Sequence, residues 1–494
     1  MSRAQLTAAV VAAGTAALLV GATLAGGPDE VGVAAHTGEQ PVLRSTSVCS
    51  NVGGEPDATS RIGMYAIPGV PEPPVDAEAD AEPITALPLA GPDADEPDEP
   101  FASLSERGVR NLTEASSSNA ASYAVRAEGR LAPGVASEQW ARATGTDLRG
   151  LATGSCGAPG REFWFVGASS NPDRRARLVL TNPTSTPATV SLTLWNGEGP
   201  VEVEGTEDLA VPANSQEVLL LEAIAPESDH LAVQVQATRG RIVAAIDYRE
   251  TSDGESTGFS MIPAATAPTE TVVVPGVPGR GSRSLRLVAP GDNDAIVDVE
   301  VLSPDGAYRP VGLDVLTVPA GSVLEVPLDE AVGTDPTAIR LVSDEPITAG
   351  LRVADTMEDG RPEVAFTAAT AALSDGSLAS VFGIDSDTFN TTLVFSSVGG
   401  AGGRVVVRTV DGEGVTVDET PLEIPAGSTQ TVPLERPEDA VWTTTVVEVA
   451  AGDTVVGARI IDGEDDAGRI MDVMPLTGPQ TSVPVPNITS ELTP

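Results

Sequence analysis

The chain has 494 residues and a formal net charge of −43, from 71 Asp+Glu against 28 basic residues. Every basic residue is arginine, and two histidines (His36, His230), two cysteines (Cys49, Cys156) and 3% aromatic residues complete the inventory. Without lysine there is no P-loop or Schiff-base site, so much negative charge repels nucleic acid, and a zinc site lacks its Cys and His ligands. Cofactors expected from this composition: none.

No residue between Arg3 and Asp29 is charged, and residues 4–26 are small or apolar throughout. About twenty such residues span a hydrocarbon core as a helix, so residues 1–28 read as a signal anchor with a single transmembrane helix. The basic flank prefers the cytoplasm, which places the chain beyond a juxtamembrane linker (29–42) outside the cell. The competing reading is a signal peptide cleaved near Thr23-Leu24-Ala25, which gives a secreted protein. Two cysteines in an exported chain read as one disulfide, Cys49–Cys156. It closes a loop of 107 residues, worth on the order of 4–5 kcal/mol in the chain-entropy account.

Residues 43–160 read as an N-terminal disulfide-closed domain. Residues 71–100 within it carry ten acidic residues and eight prolines, a composition that predicts an extended, solvated insert. Residues 122–156 predict a short strand and a short helix. The 107 residues between the cysteines equal the length of the repeat unit at 161–478. The domain is therefore open to a second description, as a degenerate fourth repeat.

Three landmarks recur in register within that repeat region. Val-Pro-Ala-Asn-Ser at 211–215 returns as Val-Pro-Ala-Gly-Ser at 318–322 and Ile-Pro-Ala-Gly-Ser at 424–428, spacings of 107 and 106. Apolar runs at 178–180, 285–287 and 393–395 are spaced 107 and 108, and a third set begins at Gly240, Glu345 and Asp453. Such self-similarity marks internal duplication. The runs are four to eight residues, rich in Val, Leu, Ile and Thr, alternate with polar residues and end in turn signals such as Asn196-Gly197 and Asp411-Gly412. This is the pattern of half-buried antiparallel strands, about seven per repeat. The predicted fold class is all-β: tandem immunoglobulin-like β-sandwich repeats of about 107 residues, at 161–268, 269–372 and 373–478, with a tail at 479–494. A propeller blade is half that length. Pro327 and Pro433 fall inside strands, which predicts an edge strand or a bulge there. No helix is expected inside the repeats.

Candidates for chemistry are few. A serine–histidine–acid site needs a placed histidine, and neither His36 nor His230 adjoins a nucleophile motif, so no catalytic residues are assigned. Trp164 and Trp195 lie in strand patterns and read as core; Trp140 and Trp442 complete the set. The oxygen-rich loops 292–294, 385–387 and 462–466 are the places a calcium ion would go, but none has the spacing of the twelve-residue calcium loop. No metal or cofactor-binding residues are assigned. The sequons at Asn111, Asn390 and Asn487 matter only where a secretory pathway glycosylates.

Several short motifs come in a familiar order. Cys49, Gly-Arg-Leu-Ala-Pro-Gly at 129–134, Arg149-Gly150-Leu151, Cys156 and Phe-Trp-Phe-Val-Gly at 163–167 lead to Leu-Val-Leu-Thr-Asn-Pro at 178–183 and Val-Val-Pro-Gly-Val at 273–277. Over roughly 45–480 the chain resembles the actinobacterial exported, membrane-anchored family known as domain of unknown function 5719. The resemblance implies an N-terminal membrane segment, an extracytoplasmic location in a high-GC Gram-positive bacterium and no assigned activity. It also implies a gene neighbourhood with a large membrane glycosyltransferase, and so a link to envelope glycan assembly; the long acidic insert departs from the pattern. The expectation is a non-enzymatic cell-envelope protein at the cell membrane, whose repeats present a surface to an envelope protein partner such as that glycosyltransferase. The alternative is a polysaccharide-binding or adhesin protein, for which a row of exposed aromatics would speak.

Overall fold

The computed structural model describes residues 37–486 except 53–57, 75–81, 90–98, 116–120, 356–360, 375–376, 385–388, 436–441, 451–452 and 467. The apolar segment 4–26 and His36 lie outside the described residues. Among the described residues no helix is long and apolar enough to cross a membrane. Strands β1 (Thr37–Pro41) and β36 (Ser482–Pro486) pair in a two-stranded sheet that belongs to a small unit of its own, and residues 41–481 form a second compact unit.

That second unit contains four sandwiches of one topology. In the first, β2 (Arg44–Val52), β7 (Ala121–Glu128), β4 (Ile84–Pro88) and β5 (Ala102–Leu104) lie in that order in one sheet. The other sheet runs β6 (Arg110–Ala115), β3 (Ala58–Ala66), β8 (Val135–Thr144), β9 (Arg149–Ser155). The second sandwich has β10 (Glu162–Ala168), β16 (Leu231–Arg239) and β12 (Ala188–Asn196), with β13 (Gly199–Val201) and β14 (Leu209–Val211) both on β12. Its partner sheet is β15 (Ser215–Leu220), β11 (Arg174–Asn182), β17 (Val243–Ser252), β18 (Glu255–Ile262).

The third repeats this with β19 (Thr269–Val277), the long β25 (Thr337–Asp355) and β21 (Ala295–Ser303), which carries β22 (Gly306–Tyr308) and β23 (Val315–Val318). The second half of β25 serves the facing sheet, between β20 (Ser282–Ala289) and β26 (Glu363–Ala368), with β24 (Ser322–Pro327) beyond β20. The fourth has β28 (Leu378–Ile384), β33 (Trp442–Val449), β30 (Gly403–Val410) and β31 (Thr416–Ile424). Facing them are β32 (Thr429–Pro433), β29 (Phe389–Ser397), β34 (Thr454–Asp465) and β35 (Gly468–Pro475), with the short β27 (Leu373–Ser374) also on β34.

Counting seven main strands per sandwich, the order is 1-5-3 over 4-2-6-7 every time. An immunoglobulin domain has strands ABED over CFG, so the sandwich is not of that strand order. The residues 43–160 share this order and are a fourth copy of the unit. The acidic segment expected to be extended and solvated is not wholly so: Ile84 and Ala86 inside it are fully buried as strand three. Strand alternation works as period two demands. In β21, Val297, Val299 and Val301 point into the core while Asp298 and Glu300 point out. Pro327 and Pro433 end β24 and β32, each paired with one neighbour only, so both lie on edge strands. The helical content differs from expectation at two places. Residues 129–131 form only a 3-10 turn, and a single α-helical turn, α1 (Leu221–Ile224), sits inside the second sandwich.

The sandwiches do not string out; they close a ring. The seventh strands β9, β18, β26 and β35 pack β9 on β18, β18 on β26, β26 on β35, and β35 back on β9. Around them, the three-strand-order sheet of each sandwich meets the facing sheet of the next: β2 lies against β11 and β17, β10 against β20 and β25, β19 against β29 and β34, and β28 against β8. Cores therefore run across boundaries. Val364 and Phe366 of the third sandwich belong to the second one's core, and Met471 and Val473 of the fourth to the third's. Gly150, at φ 141°, lies at the centre, where a Cβ would stand 2.6 Å from the Phe259 nitrogen and 2.8 Å from a Glu363 carboxylate oxygen; only glycine fits.

The two ends of the ring meet, since Val42 N–H donates to the Thr481 carbonyl at 3.2 Å. A circular permutant that joins Thr481 to Pro41 and opens the chain between Gly291 and Asp292 is expected to fold with a melting temperature within a few degrees of the parent. Removing the fourth sandwich leaves two seams bare, and that chain is expected to be protease-sensitive throughout; limited proteolysis with circular dichroism reads both.

Candidate functional site

The ring has three seams that the chain itself crosses and one, between the fourth and first sandwiches, that is held by non-covalent contacts. At that fourth-to-first seam, Arg459 of β34 is 1% exposed and touches five groups, one of them the Met474 sulfur at 3.7 Å. Its Nη1 donates to the Glu138 carboxylate of β8 and to the Phe382 carbonyl of β28, the latter at 2.6 Å. Its Nη2 donates to Thr153 Oγ1 of β9 at 2.6 Å and lies 3.9 Å from the Asp472 carboxylate of β35. Thr153 donates its hydroxyl and its N–H to Asp472, and Phe382 N–H donates to Glu138 at 3.2 Å. Burial pushes the Glu138 carboxyl up and Arg459 pulls it back. Burial likewise lifts Asp472 to about 6, against the pull of Arg459.

Other seams carry their own charges. Between the second and third sandwiches, Arg352 holds Glu250 with Nε at 2.9 Å and Nη2 at 2.6 Å, and Tyr248 donates to the same carboxylate at 2.7 Å. Arg286 donates to the Gly167 carbonyl at 2.5 Å. His230 Nε2 is 2.8 Å from Glu325, whose carboxyl that bond holds at about 2. Arg149, fully buried, reaches every other sandwich: its N–H donates to Ser256 Oγ at 3.0 Å, Nη1 to the Pro362 carbonyl at 2.8 Å, and Nη2 to the Arg469 carbonyl. Burial raises Glu363 well above the carboxylate range beside it.

Two of the cavities at the closing seam share the segment 477–479, which lines both. The larger, about 730 Å³, is lined by Tyr65, Val70, Leu373, Arg408, Glu448 and Pro479 among others. Tyr65 lies at its floor with its hydroxyl buried and without a hydrogen-bond partner, and burial lifts that phenol to about 12. Arg408 is already engaged by Glu448 at 2.6 Å and Glu419 at 2.8 Å. The smaller, about 380 Å³, adjoins Cys156. A volume of this order suits a small molecule.

Of the residues singled out in the sequence, Cys49 and Cys156 form a disulfide tying β2 to the end of β9. His230 is spent on Glu325, at a seam. Trp164 and Trp195 are buried and stacked, ring centroids 5.2 Å apart, and Trp140 is buried between the fourth and first sandwiches. Loop 292–294 is bonded internally: Asn293 donates to Glu345 at 3.0 Å and Asp294 accepts from the Ala320 N–H at 2.9 Å. In loop 462–466, Asp462 pairs with Arg280 at 3.0 Å and Asp465 with Arg142; loop 385–387 lies outside the described residues. Among the described residues no cluster of three or more His, Cys, Asp or Glu is arranged to hold a metal. The seam charges were not anticipated, although a signal exists: Arg352 and Arg459 stand 107 residues apart, each a lone charge in an apolar run, and Glu138, 214 residues before Arg352, falls at the same repeat position between polar neighbours.

Fold and site together define a protein of four fused β-sandwiches closed into a ring, with cavities where its ends meet. The sequence profile described as Family of unknown function (DUF5719) matches residues 112–435, and the chain belongs to that family. No curated protein sequence matches. Among solved structures, Thermotoga maritima 1070 is similar over 21% of this chain and 93% of its own, at 16% identity and a TM-score of 0.18. The Anabaena sensory rhodopsin transducer matches 17% of this chain and 93% of its own, at 22% identity and TM-score 0.14. A glycosyl hydrolase family 2 member from Bacteroides cellulosilyticus matches 48% and 28%, at 10% identity and TM-score 0.11.

Replacing Arg459 by Met strands two buried carboxylates, and unfolding is expected to become easier by about 3–5 kcal/mol. Adding Glu138→Leu should restore part of that loss, a coupling that a double-mutant cycle in denaturant measures. Asp472 gives a pH signature. The folded protein holds this proton more tightly than the unfolded chain, so its stabilising contribution is full below about pH 3.8 and lost as pH rises through about 6. Asp472→Asn lacks that loss, so its melting temperature relative to wild type should climb from pH 4 to pH 7, by the equivalent of up to about 3 kcal/mol.

Proposed function

We propose that the protein is a non-enzymatic, membrane-anchored, extracytoplasmic component of an actinobacterial cell envelope, which presents its ring of sandwiches as an interaction surface to an envelope protein. In this reading the segment 4–26 is the anchor and the disulfide belongs to an oxidising compartment. The observation that carries the interaction role is an apolar area on the outer face of the third sandwich. Val315, Asp298 and Val342 lie side by side across β23, β21 and β25, and Ile296 stands two residues from Asp298 on the same face. Ile296, Val315 and Val342 are 53%, 49% and 37% exposed, and Val311 in the preceding turn is fully exposed. Exposed apolar side chains grouped around a surface charged pair, here Asp298–Arg309 at 3.1 Å, have the mixed composition of a non-obligate protein contact. A membrane glycosyltransferase of envelope glycan assembly is the partner proposed.

The polysaccharide-binding alternative gains nothing from Trp140, Trp164 and Trp195, all of which are buried. A photo-crosslinking residue at Val311, used in the native cell, is expected to trap one membrane protein, and Ile296→Asp with Val315→Asp should reduce the adduct at least tenfold. Recovery of uncrosslinked protein alone, or an adduct indifferent to the double variant, would remove the reading.

A further inference from the structure

We propose that the smaller cavity at the closing seam is a binding site for an uncharged small molecule with an apolar body and a single N–H or O–H donor. Residues from all four sandwiches line it, including Ser50, Gln139, Phe163, Met261, Ser380 and Met474. One residue in five of the chain is charged, yet none of the lining residues is Asp, Glu, Arg or His. A cation would find no carboxylate there and an anion no guanidinium, and an unpaired charge moved into such surroundings is strongly penalised.

The polar groups at the cavity define the rest of the ligand. Gln139 is 6% exposed, and its Nε2 donates to Met261 Sδ at 3.1 Å. That contact fixes the amide and leaves Gln139 Oε1, a strong acceptor, buried without a partner. Ser50 Oγ, on a residue 3% exposed, and Ser380 Oγ are in the same condition. Buried unsatisfied polar groups cost about 1–3 kcal/mol each; the Gln139 amide oxygen accepts only and so lacks a donor, while the two serine hydroxyls can donate or accept. Met261, Met474 and Phe163 supply soft, adaptable surface for an apolar body. The mouth includes the exposed Ala264, where a bulky side chain blocks entry without disturbing the core.

N-phenyl-1-naphthylamine is a probe of this description, two apolar ring systems joined by one N–H, and its fluorescence rises on leaving water. Its anionic counterpart, 8-anilinonaphthalene-1-sulfonate, adds only a sulfonate. With the full ring (residues 37–494) the neutral probe is expected to bind saturably, one per chain, and the sulfonate is not. Ala264→Trp and Gln139→Leu should each weaken the neutral probe at least tenfold, with thermal melting reporting that the fold persists. Should Gln139→Leu fail to fold, Ala264→Trp decides alone. No saturable binding of the neutral probe, equal binding of the sulfonate, or affinity unchanged in Ala264→Trp would each overturn the assignment.

Discussion

Everything in this molecule depends on the packing of four terminal strands around one axis. Each sandwich on its own leaves one sheet face uncovered, and head-to-tail contacts of this kind either continue into a filament or, if the rotation is right, close. Here they close after four steps, because each seventh strand is shared between its own sandwich and the core before it, as Val364, Phe366, Met471 and Val473 are. The close approach leaves no room at the centre for ordinary side chains, hence Gly150. Arg149 then bonds three other sandwiches from one backbone position.

Buried charge is a costly way to join surfaces, since desolvation offsets most of the attraction and a hydrophobic replacement is often as stable. What a satisfied ion cluster adds is geometry. Arg459 accommodates one arrangement of Glu138, Phe382, Thr153 and Asp472, and a seam slipped by one residue would leave several of them unpaired. Apolar contacts at other seams, such as Trp164 and Trp195 against Val288 and Val323, tolerate sliding better, but there the chain itself limits the slip. The seam without a covalent link is the one that most needs register fixed by chemistry, and it has the most fully buried charge cluster. The two cavities border the same seam, where the segment 477–479 fills the space less completely than a strand would.

Much of the fold was legible in the sequence and much was not, for separable reasons. Repeat length, strand alternation and the edge prolines Pro327 and Pro433 are local properties, written in consecutive residues, and period two exposes them. The first sandwich stood in the sequence only as one of two descriptions of 43–160, because its third strand, Ile84 to Pro88, lies inside a stretch rich in Asp, Glu and Pro; five residues of alternation are outvoted by ten acids and eight prolines. Ring closure depends on contacts between residues over 300 positions apart, Glu138 with Arg459 for one, and no periodicity encodes which faces meet. Only the recurrence of charges at one repeat position pointed to it. The cavities follow from closure and were equally out of reach.

Four sandwiches on a single chain have a freedom that four identical chains would lack. In a homotetramer every substitution appears at all four interfaces at once, so an interface must suit all its copies or none. Fused, each seam is a separate locus. One became a guanidinium cluster around Arg459, another an Arg352–Glu250 pair beside two tryptophans packed on Val288 and Val323, a third a set of hydroxyl and amide contacts around Ser122, Thr181 and Gln216. Symmetry became a starting condition and no longer a rule, which let the junctions diverge in chemistry one at a time.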